Sequence, residues 1–172
     1  MSTQILRPHQ TSDIEASYLA VRESMDHLSR WMPWCHPGYA MEDAAAWVNG
    51  AMERFKAREA FEFVISDEEG AYLGGCGLNL IRPVDRVANL GYWVRSSRAA
   101  QGLATAAAKA LVEWAFKNTD LVRIEVIVAV SNTASRRVAQ KLGADCEGLL
   151  RKRLFLAGQS KDALMFSILR DT

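Results

Sequence analysis

The sequence predicts a mixed α/β fold in which helices pack on one mostly antiparallel sheet. Two observations lead to this prediction. Short segments rich in β-branched and aromatic residues recur along the chain, and segments with apolar residues at helical spacing separate them. The resulting element order is β-α-α-β-β-β-α-β-α-β-β. The 172 residues, 49% hydrophobic and 24% charged, are expected to form one domain, residues 1–172, with its own core.

The first half of the chain is predicted to contain four strands and two helices. Ser12 or Asp13 can cap the first helix, which ends near Glu23. Residues 28–38 contain two prolines and two tryptophans and are expected to form a loop, and residues 67–70 (DEEG) a hairpin turn. The predicted strands are residues 3–7, 61–66, 72–80 and 88–95, and the second helix is residues 41–58.

The second half is predicted to contain two helices and three strands. Residues 123–130 (RIEVIVAV) are rich in β-branched residues and are expected to form a buried strand. Asn132 can cap a helix over residues 133–142, and two strands follow near residues 146–155 and 163–169. The long helix before them is predicted to bury an apolar stripe that consists of Leu103, Ala106, Ala107, Ala110, Leu111, Trp114 and Ala115.

Composition and cysteine spacing argue against several classes of protein. The net charge of +1 gives no bulk attraction to nucleic acid or to a membrane, and no apolar run reaches 18 residues. The N-terminus lacks a signal-peptide pattern. Cys35, Cys76 and Cys146 lie far apart in sequence and predict neither a metal site nor a disulfide framework. We therefore expect a cytoplasmic protein without a metal, nucleic-acid or membrane partner.

Charge is distributed unevenly along the chain. Residues 1–86 carry 8 Lys or Arg and 13 Asp or Glu, a net charge of −5, whereas residues 87–172 carry 13 and 7, a net charge of +6. Fifteen of the 21 basic residues are arginine, whose guanidinium group suits phosphate. An anion site in the basic half would explain this asymmetry, and so would an unevenly charged, solvated surface.

One segment has the physical features of a pyrophosphate-binding site. Residues 94–105 (VRSSRAAQGLAT) run from a strand through a loop of small residues into an Ala-rich helix. The N-terminus of that helix offers free N–H groups and the positive end of the helix dipole, and Gly102 lets an anion approach the backbone. Arg95 and Arg98 can add positive charge. The segment lacks both GK[ST] and GxGxxG, so it is neither a P-loop nor a dinucleotide-binding fingerprint.

These motifs resemble those of the GNAT superfamily of acyl-CoA-dependent N-acyltransferases. Residues 101–104 (QGLA) match the second half of the family's [QR]-x-x-G-x-[GA] loop, whereas Ala99 stands where Gln or Arg is usual. Residues 132–143 match the family's N-x-x-[AS]-x7-G segment. The ribosomal-protein N-acetyltransferase branch (RimJ/RimL-like) is the most similar, through residues 28–34 (LSRWMPW) and 91–94 (GYWV) among others.

The resemblance implies acetyl-CoA as the cofactor and a sheet with helices on both faces and a splayed central strand pair. The cofactor would enter the gap between the strand of residues 88–95 and that of residues 123–130. Its pantetheine amides would pair with backbone groups of the first strand, and its pyrophosphate would lie at the loop before the long helix. The residues implied for cofactor binding are Trp93, Val94, Arg95, Arg98, Gln101, Gly102, Leu103, Ala104, Thr105, Asn132 and Arg136, with Arg137 as a further phosphate ligand.

The same resemblance implies a group that protonates the leaving thiolate. Many family members place a tyrosine seven residues after the asparagine, and this chain has Ala139 there. Ser135 is the candidate replacement, directly or through water, with Asn132 beside it at the thioester end. Both residues would also suit the first turn of any helix, as a hydroxyl and as an N-cap.

The general base is the least complete part of the implied site. Related sequences often have a glutamate two residues before the Gly-Tyr-Trp run, and this chain has Asn89 there. Glu125 is the best remaining carboxylate because its strand is otherwise apolar. A charged residue in such a strand is either functional or paired, so Glu125 has a catalytic role or forms a structural ion pair with Arg123 or another arginine. Glu62 and Asp85 are weaker options.

The missing base bears on the acceptor, whose pocket Trp31, Trp34 and Asn89 are expected to line. A lysine side chain has a pKa of about 10.4 and an α-amine one of about 7.7–8.0, so a site without a base favours a peptide N-terminus or another amine of low pKa. We expect an N-acetyltransferase that acts on a peptide or small-molecule amine, in a branch that often forms homodimers. The alternatives are a CoA-binding sensor module and an enzyme that uses a longer acyl-CoA such as succinyl-CoA.

Overall fold

Seven strands form one mixed sheet in the computed structural model, which describes residues 5–170. The strands are β1 (Ile5–Pro8), β2 (Phe61–Ser66), β3 (Tyr72–Arg82), β4 (Val87–Val94), β5 (Arg123–Ala129), β6 (Asp145–Leu156) and β7 (Gln159–Leu169). Their order in the sheet is β1-β2-β3-β4-β5-β7-β6, and each neighbouring pair is antiparallel except β4 and β5. The predicted α/β fold is therefore confirmed. Residues 3 and 4, predicted to begin the first strand, lie outside the described residues.

Within residues 5–170, five α-helices connect these strands. They are α1 (Ile14–Glu23), α2 (Met25–Leu28), α3 (Met41–Ala57), α4 (Leu103–Asn118) and α5 (Thr133–Lys141). The sequence did not predict the single turn of α2. Asp13 is the N-cap residue of α1, one of the two candidates expected, but its carboxylate forms no capping hydrogen bond. It accepts a hydrogen bond from the Gln10 N–H at 2.8 Å and pairs with Arg7 instead. Asn132 caps α5 as expected, since its Oδ1 accepts a hydrogen bond from the Ser135 N–H at 3.1 Å.

Helices cover both faces of the sheet, as the resemblance implies. Successive side chains of a strand point to opposite faces. On β4, Leu90 is buried in the main core cluster together with Leu111 of α4. Trp93, three residues further on, packs on the opposite face against Ala20 and Val21 of α1. The two faces of β4 are thus covered by different helices.

The buried side of α4 differs in phase from the prediction. Ala108 is buried, whereas Ala106 and Ala110, which were assigned to the buried stripe, are exposed. Alanines make α4 apolar around most of its circumference, so residue spacing alone does not determine which side faces the sheet.

The parallel pair β4 and β5 separates after three residues. Residues 87–89 pair with residues 123–125, and the pairing ends there. β4 continues to Val94 along β3, while β5 continues to Ala129 along β7. The edge of β4 that faces β5 is therefore unpaired over residues 90–94, which confirms the splayed central pair that the resemblance implies.

Features of several other protein classes are absent from the described part of the chain. None of the helices in residues 5–170 is long and apolar enough to cross a membrane. The same residues contain no group of three or more His, Cys, Asp or Glu side chains placed to hold a metal ion. All three cysteines are free thiols, with Cys35 and Cys76 buried and Cys146 exposed.

The contact of α4 with the sheet can be tested by truncating its central side chain. Leu111 is fully buried, so we expect Leu111→Ala to lower the free energy of unfolding by about 2–5 kcal/mol through lost burial and the cavity left behind. Lys109→Ala, on the exposed side of the same helix, is the control and should change it by less than about 0.5 kcal/mol. Urea denaturation measures both. Equal effects of the two substitutions would contradict the orientation of α4.

Candidate cofactor-binding and catalytic site

A cleft of about 400 Å³ opens where β4 parts from β5. We call it the cofactor cleft. Its walls are the end of β4, the loop that leads into α4, the first turn of α4, one side of α5, and the segment after α2. The predicted cofactor-binding residues that line it are Trp93, Val94, Arg98, Gly102, Leu103, Ala104, Thr105 and Asn132.

The first turn of α4 provides the anion-binding features expected from the sequence. Gly102 is the N-cap residue, with φ of 80°, a conformation that favours glycine. No side chain caps this helix end, so the N–H groups of its first turn have no partner within the helix. Leu103, Ala104 and Thr105 follow on the cleft wall. The exposed Gln101 does not line the cleft.

Only part of the predicted set of arginines faces the cleft. Arg98 and Arg137 line it, and Lys141, one turn after Arg137 on α5, adds a third cation that the sequence analysis missed. Arg98 is also paired with Asp67 of the β2–β3 turn at 3.2 Å. Arg136 lies outside the lining and donates a hydrogen bond from Nη1 to the Val130 carbonyl at 3.3 Å. The i, i+4 spacing of Arg137 and Lys141 could have indicated that they share one side of α5.

Arg95 serves the loop rather than the cleft. Its Nε donates to the Glu23 carboxylate at 3.0 Å, its Nη2 also contacts that carboxylate, and its Nη1 donates to the Tyr72 carbonyl at 3.2 Å. Glu23 also accepts a hydrogen bond from the Ser97 N–H, and the Ser24 hydroxyl accepts one from the Ser96 N–H. The bonds from Arg95 and Ser97 lower the pKa of the Glu23 carboxyl to about 2. The end of α1 thus holds the loop that presents α4 to the cleft.

Two hydroxyl groups meet on the wall of the cleft. The Tyr92 hydroxyl of β4 lies 3.0 Å from the Ser135 Oγ of α5 and 3.2 Å from the Ser135 carbonyl oxygen. Burial raises the pKa of Tyr92 to about 12, so its hydroxyl is protonated at neutral pH. Ser135 was expected at the thioester end from the sequence, whereas Tyr92 was not. The alternation along β4 could have indicated it, because Tyr92 points to the face opposite Trp93.

Glu125 is held in an ion-pair network outside the cleft lining. Its carboxylate lies 3.0 Å from the Arg123 Nε and 3.5 Å from the Arg82 Nη2, and its side chain is only 12% exposed. Arg123 in turn pairs with Glu147 of β6. The sequence left two roles open for Glu125, a general base and a member of a structural ion pair. These distances are those of a structural ion pair.

The three residues assigned to the acceptor pocket lie in three different places. Trp31 lines the cofactor cleft. Trp34 lies outside that cleft, where it stacks on Trp47 and meets Trp93 edge-on. Asn89 does not line the cofactor cleft and donates a hydrogen bond to the Asn79 side chain at 2.9 Å. Its position at the last paired residue of β4 explains this, because the gap begins beyond it.

Comparison with known proteins identifies the family. Residues 4–145 match the model of the acetyltransferase (GNAT) domain. This chain therefore belongs to the GNAT acetyltransferase family, the class of enzymes that transfer the acetyl group of acetyl-CoA.

Relatives and a solved structure agree with the RimJ/RimL-like branch. The protein YdaF of Bacillus subtilis (strain 168) is 32% identical over 102 residues, which are 59% of this chain and 56% of YdaF, so the match spans little more than half of that protein. The ribosomal-protein-serine acetyltransferase of Escherichia coli (strain K12) is 25% identical over 159 residues, 92% of this chain and 88% of that protein. The structure of Mycobacterium smegmatis RimJ in complex with CoA-disulfide is 30% identical with a TM-score of 0.89, and the match covers 98% of this chain and 82% of that one.

The anion-binding role of the first turn of α4 can be tested at Gly102. A valine there would have to adopt a positive φ and would place a side chain beside the free N–H groups, so we expect acetyl-CoA to bind about 10- to 100-fold more weakly. Gly158→Val is a matched control, because Gly158 has φ of 74°, has open space around it, and lies in the β6–β7 turn. Isothermal titration calorimetry measures both affinities. Unchanged affinity in the Gly102 variant would remove this turn from the cofactor site.

Proposed function

We propose that this protein transfers the acetyl group of acetyl-CoA to a primary amine, a peptide N-terminal α-amine or a small-molecule amine, by direct attack of the neutral amine on the thioester. The observation that carries the proposal is the unpaired edge of β4. This edge lies between the N-terminus of α4, which is suited to bind phosphate, and the hydroxyls of Tyr92 and Ser135, which are suited to protonate a leaving thiolate.

The unpaired edge supplies a donor for the oxyanion of the tetrahedral intermediate. The Arg95 N–H donates to the Leu73 carbonyl of β3 at 2.8 Å. Backbone N–H groups alternate in direction along a strand, so the preceding N–H, that of Val94, points away from β3 into the gap. A backbone N–H held in this way stabilises the developing negative charge without reorganisation during the reaction.

The hydroxyl pair is suited to the second half of the reaction. As the carbon–nitrogen bond forms, the carbon–sulfur bond breaks, and the thiolate of CoA takes up a proton while the amine loses one to solvent. Ser135 and Tyr92 are both protonated and in contact, so either can donate a hydrogen bond to the sulfur and Tyr92 can resupply Ser135. We assign Ser135 and Tyr92 as the thiol-side catalytic residues, with Asn132 orienting Ser135 through the cap of α5.

The acceptor that the site favours is an amine of low pKa. The residue at the position of the usual glutamate base is Asn89, and Glu125 is engaged with two arginines. A lysine side chain, with a pKa of about 10.4, is mostly protonated at neutral pH, whereas an α-amine with a pKa of about 7.7–8.0 is partly neutral. The relative named as a ribosomal-protein-serine acetyltransferase supports a protein as one form of this acceptor.

An array of peptides and small amines, incubated with acetyl-CoA, tests the proposal. Release of free thiol together with a mass increase of the acceptor by one acetyl group is the expected result. Binding of acetyl-CoA without transfer to any amine would overturn the proposal in favour of a CoA-binding sensor module. Reaction with succinyl-CoA and not with acetyl-CoA would overturn the assigned acyl group.

The role of the hydroxyl pair can be tested with two substitutions. We expect Ser135→Ala and Tyr92→Phe each to lower kcat by about 10- to 100-fold, because proton donation to the thiolate is impaired. The Kd for acetyl-CoA should change by less than about threefold, because neither hydroxyl belongs to the phosphate-binding turn. Thr133→Ala, an exposed hydroxyl at the start of α5, is the control. A wild-type kcat in both variants would exclude this pair from the mechanism.

A further inference from the structure

A second cavity lies on the other face of β4 and adjoins the cofactor cleft. It measures about 120 Å³, and we call it the amine chamber. Met32, Tyr92 and Trp93 line both it and the cofactor cleft, so the two spaces meet at the part of β4 that is unpaired. An amine in this chamber would approach the thioester from the side opposite α4.

The floor of the amine chamber is a row of residues without bulky side chains. Gly77 of β3 pairs with Glu62 of β2 on one side and with Gly91 of β4 on the other. A Cβ on Gly77 would lie 2.9 Å from the Glu62 Cγ, so the Glu62 side chain lies close over this glycine. A Cβ on Gly91 would meet only the Asn79 Nδ2, at 3.7 Å, an ordinary contact. Packing therefore does not require a glycine at position 91. The absence of a side chain there leaves the chamber open.

The polar side chains of Glu62, His9 and Asn79 line this chamber, and the Asn79 Oδ1 already accepts a hydrogen bond from Asn89. Glu62 is bound by Arg54 at 2.8 Å. His9 is 6% exposed, and its Nδ1 is a buried atom without a hydrogen-bond partner. Burial lowers the pKa of His9 to about 4, so its ring is neutral at pH 7 and can accept a hydrogen bond. A buried polar atom without a partner is costly, so the His9 ring is the group of this chamber with hydrogen-bonding capacity left for a bound amine.

A third, aromatic cavity of about 230 Å³ continues from the amine chamber at Trp34, Trp47 and Trp93. We call it the aromatic chamber. Its walls also include Tyr39 and the Asp43 carboxylate. The faces of aromatic rings together with a carboxylate form an environment that attracts organic cations.

Asp43 is the charged group of the aromatic chamber that lacks a counter-ion. Its Oδ2 accepts a hydrogen bond from the Ala40 N–H at 2.8 Å, and it forms no ion pair within residues 5–170. The guanidinium of Arg54 lies 5.2 Å from the centre of the Trp47 ring and is paired with Glu62. The chamber therefore has a net negative charge.

We propose that the acceptor amine binds in the amine chamber, against His9 and Glu62, and that a second cationic group of the same molecule binds in the aromatic chamber beside Asp43. The acceptor class is thus a primary amine that carries another ammonium or guanidinium group a short chain away. This inference rests on the proposed function.

Matched acceptors test the second charge. A peptide with N-terminal lysine is compared with the same peptide beginning with norleucine, and 1,5-diaminopentane with pentylamine; each pair differs by one ammonium group. We expect kcat/KM to be about tenfold higher for the dicationic member of each pair that reacts. Equal or lower values for that member would overturn the acceptor class and leave the acetyltransferase proposal intact, whereas no thiol release with any amine would overturn both.

Two variants locate the second charge. Asp43→Asn removes the charge and keeps an oxygen that can accept from the Ala40 N–H, so α3 retains its first turn. We expect it to lower the preference for the dicationic acceptor to about one- to twofold. Glu42→Gln, an exposed neighbour in the same turn, is the matched control and should keep the preference. An unchanged preference in the Asp43 variant, or an equal loss in both, would overturn the assignment to the aromatic chamber.

Gly91→Val tests the amine chamber itself. The added side chain occupies the floor without a clash at its Cβ, so we expect the KM of the acceptor to rise about tenfold or more while the Kd of acetyl-CoA stays within about threefold. Thermal unfolding monitors whether the variant is folded. An unchanged KM in the folded variant would place the acceptor elsewhere.

Discussion

The site depends on the separation of β4 from β5 after their third paired residue. Each strand keeps its other neighbour, β3 for β4 and β7 for β5, so neither can turn to close the gap without breaking a complete ladder. The consequence is a row of backbone N–H and C=O groups inside the protein without strand partners. Unpaired backbone groups away from water are costly, so such an edge is stable only where solvent or a ligand reaches it. In the proposed function, the amide groups of pantetheine would occupy it.

Contacts from distant parts of the chain keep the two sides of this gap in place. The contact between Tyr92 and Ser135 joins β4 to α5 across the opening. On the other side, Glu23 at the end of α1 holds the backbone and the guanidinium of the loop before α4. Since α1 also packs against Trp93, one helix sets both the loop and the position of β4. A change at the end of α1 is therefore expected to affect cofactor binding through the loop.

The sequence predicted the features that depend on neighbouring residues and did not predict those that depend on residues far apart in the chain. Phe61–Ser66 forms the strand expected from its composition, and Asn132 forms the expected cap, because both depend on neighbouring residues alone. The splay could be expected only from the family resemblance, since residue spacing contains no information on which neighbour a strand keeps. The pairing of Arg95 with Glu23 could not be expected from the sequence, because the two residues are 72 positions apart. The alternation along β4 places Tyr92 on the face opposite Trp93, but its contact with Ser135, 43 residues away, follows only from the fold.

The uneven charge of the sequence corresponds to the two faces of β4. On the α4 side, Arg98, Arg137 and Lys141 line the cleft that receives a polyanionic cofactor. On the α3 side, the carboxylates of Asp43 and Glu62 line the two smaller chambers. Glu62 is paired with Arg54, so the Asp43 carboxylate is the group that would repel the phosphates of CoA, and the basic cleft would repel a cationic amine. With the cofactor and the proposed cationic acceptor bound in this way, β4 would separate two substrates of opposite charge, and its unpaired residues would be the place where they meet. The uneven distribution of charge along the sequence would therefore direct each of the two substrates to its own side of β4.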